Sequence, residues 1–161
     1  TARLESDRRR SDPMPESVKM VMGIFTIPQE RDYRQVVRET WLDQAGVCSL
    51  EGGPSKDCSV YAAFVMCSEG WGVTRTDKGS TDMPAPEGFA PEDMEAAHRE
   101  PGAFVLKGTM ENMNGPKTMR WFQAVLLKFG WATHIAKMDM DTFPFMHKLV
   151  NRMAGGSCGG G

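Results

Sequence analysis

No run of 18 apolar residues occurs anywhere in the 161-residue chain, so nothing in it reads as a membrane-spanning helix. A secretory signal peptide is not visible either, and there is no Asn-x-Ser/Thr acceptor. The four cysteines, Cys48, Cys58, Cys67 and Cys158, make no Cys-x-x-Cys pair and keep no zinc-like spacing with histidine, which argues against a structural zinc module. Four thiols are also too few for a disulfide scaffold at this length. His98, His134 and His147 form neither His-x-His nor His-Glu-x-x-His, so the helical zinc-hydrolase pattern is missing. An excess of one charge is missing too: 19 basic residues face 21 acidic ones, for a net charge of −2. That balance gives no reason to expect nucleic acid or an anionic membrane surface as the main partner. It leaves room for a small anionic ligand, which needs only a local donor cluster or a metal ion.

What is present suffices for one packed domain: apolar residues make up 40% and charged residues 25%. The chain begins with Thr1 and ends in Gly-Gly-Gly, so it reads as a piece of a longer protein. Residues 1–17 are polar, with Arg8-Arg9-Arg10 and two prolines, and are expected to be a disordered stem or linker. Residues 18–154 carry the structured part, and 155–161 are expected to be a flexible tail. Val18 to Ile27 reads as a buried strand stopped by Pro28, and Glu30 to Gln44 as a helix with Tyr33, Val36, Val37, Thr40 and Trp41 on one face. Cys48 and Cys58 flank a Gly/Pro/Ser loop, a spacing equally compatible with one bridge and with two buried free thiols. Ser59 to Cys67 is a second β-prone run, Ser68 to Pro91 a long surface loop, Asp93 to Arg99 a short helix and Ala103 to Leu106 a third strand. Lys117 to Phe129 is the most regular helix. Met119, Phe122, Val125, Leu126 and Phe129 share a face, and Trp121 and Leu127 cover much of the rest, so it is expected to be largely enclosed. Ala132 to Met138 is a fourth strand, and Phe143 to Met153 a last helix with Pro144 in its first turn. Strands alternating with helices predict an α/β fold: a mostly parallel sheet with helices on both faces. Ligands in such sheets sit outside the carboxyl ends of the strands.

Asp139-Met140-Asp141 falls at such an end. Carboxylates two residues apart on extended chain point to the same side and together suit one hard divalent cation. A metal held there can neutralise the charge growing on a leaving diphosphate. The spacing by itself is weak evidence, since Asp-x-Asp turns up by chance in about half of chains this long. The plainer alternative makes both acids solvated turn residues, with Asp141 or Thr142 capping the helix that follows.

Four blocks in order add a family resemblance. Arg34-Gln35-Val36-Val37-Arg38-Glu39-Thr40-Trp41 resembles the R-x-x-x-R-x-T-W signature of the β-1,3-galactosyltransferase family of inverting glycosyltransferases. Tyr61 to Cys67 resembles that family's F-x-x-G strand, with Cys67 in place of Gly. Lys117-Thr118 before the Trp121 to Phe129 run resembles its L-x-x-K-T helix, and Lys137-Met138-Asp139-Met140-Asp141-Thr142-Phe143 its K-x-D-D-D-x-F block. The match covers roughly Val18 to Val150, and its spelling is most like divergent protozoan members of the family.

The resemblance implies a GT-A fold with its C-terminal part missing from this chain, a UDP-sugar donor, Mn²⁺ or Mg²⁺, and a glycan or glycoprotein acceptor. The sugar it implies is galactose or a related hexose, with N-acetylglucosamine and galactofuranose as alternatives. It further implies a type II protein of the Golgi lumen whose membrane anchor precedes Thr1. Met140 departs from the triplet's middle acid, and the link from Cys67 to Phe104 is long for the family. In that frame Asp141 and Asp139 are the metal ligands, and Asp139, Asp141, Arg38, Lys137 and Thr26 contact the nucleotide.

Arg34 and Arg38 share a helix face. They suit a diphosphate or uracil contact, or else a solvated pair bonding Asp32 or Glu39. Thr26 and Ile27 end the first strand, where a nucleotide base lies in this fold. Lys117 either pairs with phosphate or simply starts its helix, and Lys137 offsets the acid pair. Trp41 and Phe122 are expected in the core. The thirteen methionines are read as core gap-fillers. No catalytic base is assigned, because Phe143 to Gly161 contains no Asp or Glu. The competing reading is a truncated relative that binds sugar nucleotide or a protein partner without turnover.

Overall fold

The computed structural model describes residues 15–70, 73–76, 79–82, 90–111 and 116–155. The stem expected over 1–17 therefore lies almost wholly outside the described residues. So do Cys158 and all of the expected tail except Gly155. The elements, in chain order, are β1 (Met20–Phe25), α1 (Arg31–Glu39), β2 (Val47–Ser49), β3 (Val60–Glu69), β4 (Val73–Thr76), β5 (Gly79–Asp82), α2 (Pro91–His98), β6 (Ala103–Met110), α3 (Lys117–Lys128), β7 (His134–Asp139) and α4 (Met146–Gly155). β1, β2, β3, β6 and β7 form one five-stranded sheet in which every pair is parallel. β4 and β5 form a separate antiparallel hairpin inside the stretch expected to be plain loop. The fold is α/β with a parallel sheet flanked by helices, as in Rossmann-like proteins.

β1 is central, pairing with β3 on one side and β7 on the other. It is buried on both faces, so its side chains split between two cores by the period-two rule. Met20, Met22 and Ile24 join Val37, Trp41, Met146 and Val150 under α1 and α4. Val21 joins Tyr61, Val65, Trp121 and Val125 under α3. Gly23 lies on the α3 side, where a Cβ would stand 2.5 Å from Trp121 Cε2. The absent side chain leaves room for the indole, which donates from Nε1 to the Ala136 carbonyl at 3.0 Å. The free edge of β3 is shared: β2 pairs with Val60 to Ala62, and β6 takes over from Phe64.

Several elements differ from their sequence expectation for identifiable reasons. α1 ends at Glu39 and passes into a tight turn at Trp41–Asp43. Its buried stripe is Arg34, Val37 and Trp41, while Tyr33 and Val36 face out; hydropathy reads Arg34 as solvent-facing, but the structure supplies it with partners. α3 buries Trp121 and Val125, yet Met119, Leu126 and Leu127 are exposed, Leu127 at 87%. The helix packs on one sheet face only, so half of its apolar surface has no covering layer among the described residues. Phe122 is half-buried at the edge of that contact, not central to it.

α4 starts at Met146, later than expected. Its cap comes from across the fold: the Gln44 side chain donates to the Pro144 carbonyl at 3.0 Å and accepts from Met146 N–H at 3.2 Å. Asp141 and Thr142 therefore do not cap it. Cys48 and Cys58 are bridged, with their Cα atoms 5.9 Å apart, and Cys67 is a buried free thiol. Among the described residues no helix is long and apolar enough to cross a membrane.

Candidate functional site

The carboxyl ends of β1 and β7 lie side by side, with Phe25 in register with Asp139. Outside them opens a cleft of about 380 Å³. Its walls come from the turn after β1 (Thr26, Ile27), the start of α1 (Glu30, Tyr33), the first residue of α3 (Lys117) and the end of β7 (Lys137, Asp139 to Asp141). Of the five residues expected to contact a nucleotide, Thr26, Lys137, Asp139 and Asp141 meet in this cleft. Arg38 does not line it.

Asp139 is the last residue of β7, and Lys137, two positions earlier on the same strand face, pairs with it at 2.9 Å. Both groups are substantially solvent-accessible, so the pair adds little to stability. The Lys137 ammonium also lies 5.1 Å from the centre of the Phe25 ring. Asp141 follows in the turn closed by the Thr142 N–H to Asp139 carbonyl bond at 3.3 Å. No group of three His, Cys, Asp or Glu side chains gathers anywhere among the described residues. A cation at Asp139 and Asp141 must therefore draw most of its oxygens from a ligand and from water, which suits Mg²⁺-like chemistry.

The wall opposite is held by buried charge. Arg34 is wholly buried. Its Nε and Nη2 donate to Glu100 at 2.9 and 2.8 Å, Nη1 donates to Thr26 Oγ1 at 3.1 Å and to the Ile27 carbonyl at 2.7 Å, and Nη2 reaches the Pro28 carbonyl at 3.0 Å. Three of these bonds shape the Thr26–Pro28 turn and two pair the guanidinium with Glu100. Arg38 donates to Glu100 at 2.8 Å and to the Pro101 carbonyl at 3.1 Å, with its guanidinium stacked 4.6 Å from the Phe64 ring centre. Arg38 is therefore engaged with Glu100, Pro101 and Phe64, and no bond to Asp32 or Glu39 takes the place of these contacts. Burial alone would raise the Glu100 carboxyl; the hydrogen bonds and charges of Arg34 and Arg38 outweigh it and hold it down at about 2.

Lys117 is buried at the floor. Its Nζ donates to the Thr26 carbonyl at 2.7 Å and pairs with Glu111. The second Glu111 oxygen accepts from Cys67 N–H at 2.8 Å. Lys117 is therefore neither a free phosphate clamp nor a mere helix start, because its charge is matched and it fixes the Thr26 carbonyl. Burial, reinforced by the Glu111 charge, pushes the Cys67 thiol up to about 12, which removes it as a nucleophile at neutral pH. Glu100 and Glu111, the partners that make this architecture possible, carry no local sequence signal.

Comparison of the chain with known protein families, with curated proteins and with solved structures finds no match in any of the three.

Proposed function

We propose that this chain is the nucleotide-sugar-binding part of a metal-dependent, inverting glycosyltransferase of GT-A type, related to the β-1,3-galactosyltransferases. The donor is a UDP-hexose and the acceptor a glycan or glycoprotein hydroxyl. The observation that carries the reading is the meeting of Asp139, Asp141, Lys137 and Thr26 in one cleft at the carboxyl ends of the two central strands. Strand-end clefts of this kind are where Rossmann-like folds take phosphate-bearing ligands.

In this reading Asp139 and Asp141 would hold the divalent ion, Mn²⁺ or Mg²⁺, which would supply positive charge to stabilise a leaving diphosphate. Lys137 orients Asp139 and adds positive charge beside the phosphates. The Arg34 and Lys117 networks fix the Thr26–Pro28 turn, so the wall facing the nucleotide is preorganised. The Cys48–Cys58 bridge favours an oxidising compartment, in keeping with a Golgi-lumen enzyme whose anchor lies outside this chain.

A second reading, binding without turnover, is favoured by the carboxylates on hand. An inverting transfer needs a base for the acceptor hydroxyl. The acids lining the cleft are Asp139 and Asp141, committed to the ion in this reading, and Glu30, one oxygen of which is taken by Thr26 and Ile27. Calorimetry of UDP with Mn²⁺ tests the common part: the wild-type chain binds, and Asp141→Ala abolishes metal-dependent binding while staying folded. Unchanged UDP binding by folded Asp141→Ala would refute the assignment of the ion.

A further inference from the structure

A second groove, of about 260 Å³, opens at the edge of the sheet and shares no lining residue with the cleft. It sits where β2 stops and β6 begins. Ser49, the last β2 partner of β3, is in register with Ala62, and Ala103, the first β6 partner, with Phe64. Ala62 and Phe64, two residues apart, face the same core. With Leu42 and Val47 they line the groove with apolar surface. The Cys48–Cys58 bridge ties β2 to the start of β3, so this wall is fixed.

Two charged groups, Arg38 and Glu51, line the same groove, and they are not paired with each other. Arg38 pairs with Glu100, which is shared: the Arg34 and Arg38 guanidiniums each lie 2.8 Å from that one carboxylate. Two positive charges against one negative leave an excess of one. Arg34 is wholly buried, whereas the Arg38 side chain is 23% exposed, so the excess reaches solvent at Arg38. Its Nη2 makes both bonds, to Glu100 and to the Pro101 carbonyl. Nε and Nη1 have no acceptor among the described residues, and the Phe64 ring, 4.6 Å away, holds the guanidinium in place. Glu51 accepts from Gly102 N–H through Oε1 at 3.1 Å; among the described residues nothing donates to its Oε2.

We propose that this groove binds a free apolar α-amino acid, with its carboxylate on Arg38, its ammonium on Glu51 and its side chain against Leu42, Val47 and Phe64. The volume falls below the roughly 300–1,000 Å³ of drug-sized ligand sites, which selects a small molecule. The apolar lining disfavours a bare inorganic ion, which gains nothing from it. Spare donors and a spare acceptor at one groove call for a ligand that carries both charges. A peptide terminus carries one of them; a free amino acid carries both on a single carbon. The site needs neither metal nor nucleotide, so it stands or falls apart from the reading of the cleft.

The test is calorimetric titration of the wild-type chain, without UDP or metal, with leucine, 4-methylpentanoate, 3-methylbutylamine and glycine. Leucine binds. The other three lack in turn the ammonium, the carboxylate and the side chain, and each binds at least about tenfold more weakly, the scale of one charged hydrogen bond or one buried apolar side chain. Glu51→Gln keeps an oxygen for Gly102 N–H and brings leucine down to about the affinity of 4-methylpentanoate. Arg38→Lys keeps a positive charge beside Glu100, loses the fixed spare donors and weakens leucine by about tenfold. No saturable binding of leucine by the wild type overturns the proposal. So does equal wild-type affinity for leucine and any of the three analogues, or undiminished leucine affinity in folded Glu51→Gln. The wild-type comparison needs no variant to fold.

Discussion

Glu100→Gln removes the counter-charge of a wholly buried guanidinium, and its cost follows from the surroundings. Arg34 is fully enclosed and Glu100 nearly so, with 16% of its side-chain surface exposed. Stranding a buried charge costs about 3–5 kcal/mol. The depressed Glu100 carboxyl expresses the same interaction from the acid side. A carboxyl held at about 2 in place of 4.5 corresponds to about 3 kcal/mol of folding stability, fully present above the ordinary carboxylate range. Because the folded value is depressed, the unfolded chain takes up the proton first. The contribution therefore disappears as pH falls from about 4.5 toward 2.

Urea unfolding of wild type and Glu100→Gln at neutral pH and at about pH 3 separates this group from every other titrating acid, since the others are common to both proteins. The stability gap is expected to be about 3–5 kcal/mol at neutral pH and to shrink by about 2 kcal/mol near pH 3. A gap that stays constant across that range would show that Glu100 is not held down by Arg34 and Arg38, and the account of the cleft wall would fail with it.

Other expectations follow from the packing and the chemistry. Gly23→Ala drives a methyl group into the Trp121 indole, and overpacking of this kind costs about 1–3 kcal/mol; a double mutant with Trp121→Leu should recover part of the loss, and strictly additive effects would contradict the contact. Trp41→Ala should cost about 3–5 kcal/mol because the side chain is buried, and half-buried Phe122→Ala clearly less; equal midpoints in urea would refute that ranking. The purified chain of residues 1–161 is expected to transfer no sugar from any UDP-hexose to a glycan, and measured transfer would place a base among its own acids.

The central strands and the strand-end position of the acid pair were legible because their signals are local. Met20 to Phe25 and Val60 to Cys67 are near-continuous apolar runs, and a strand buried on both faces demands just that pattern. Asp139-Met140-Asp141 follows such a run directly. What escaped is non-local. Arg34 and Arg38 looked like ligand contacts or solvated charges because hydropathy cannot see Glu100, 66 and 62 residues further on. The exposure of Leu126 and Leu127 was illegible for the converse reason: an apolar residue announces affinity for a core but not whether a second layer exists to cover it. The edge strand β6 was read short because Lys107, Gly108 and Thr109 break the apolar run, as residues on a solvent-facing edge often do.

The Thr26–Pro28 turn is gripped by groups that arrive late in the chain. Glu100, reaching it through Arg34, is 66 residues from that arginine, and Lys117 is 91 residues from the carbonyl it holds. Closing spans of that length is slow compared with forming β1 and α1. A nascent or truncated chain can therefore possess the first strand and helix without possessing the cleft. The cleft wall is a product of completed topology, and a fragment ending before β6 should hold the same local sequence with no cleft.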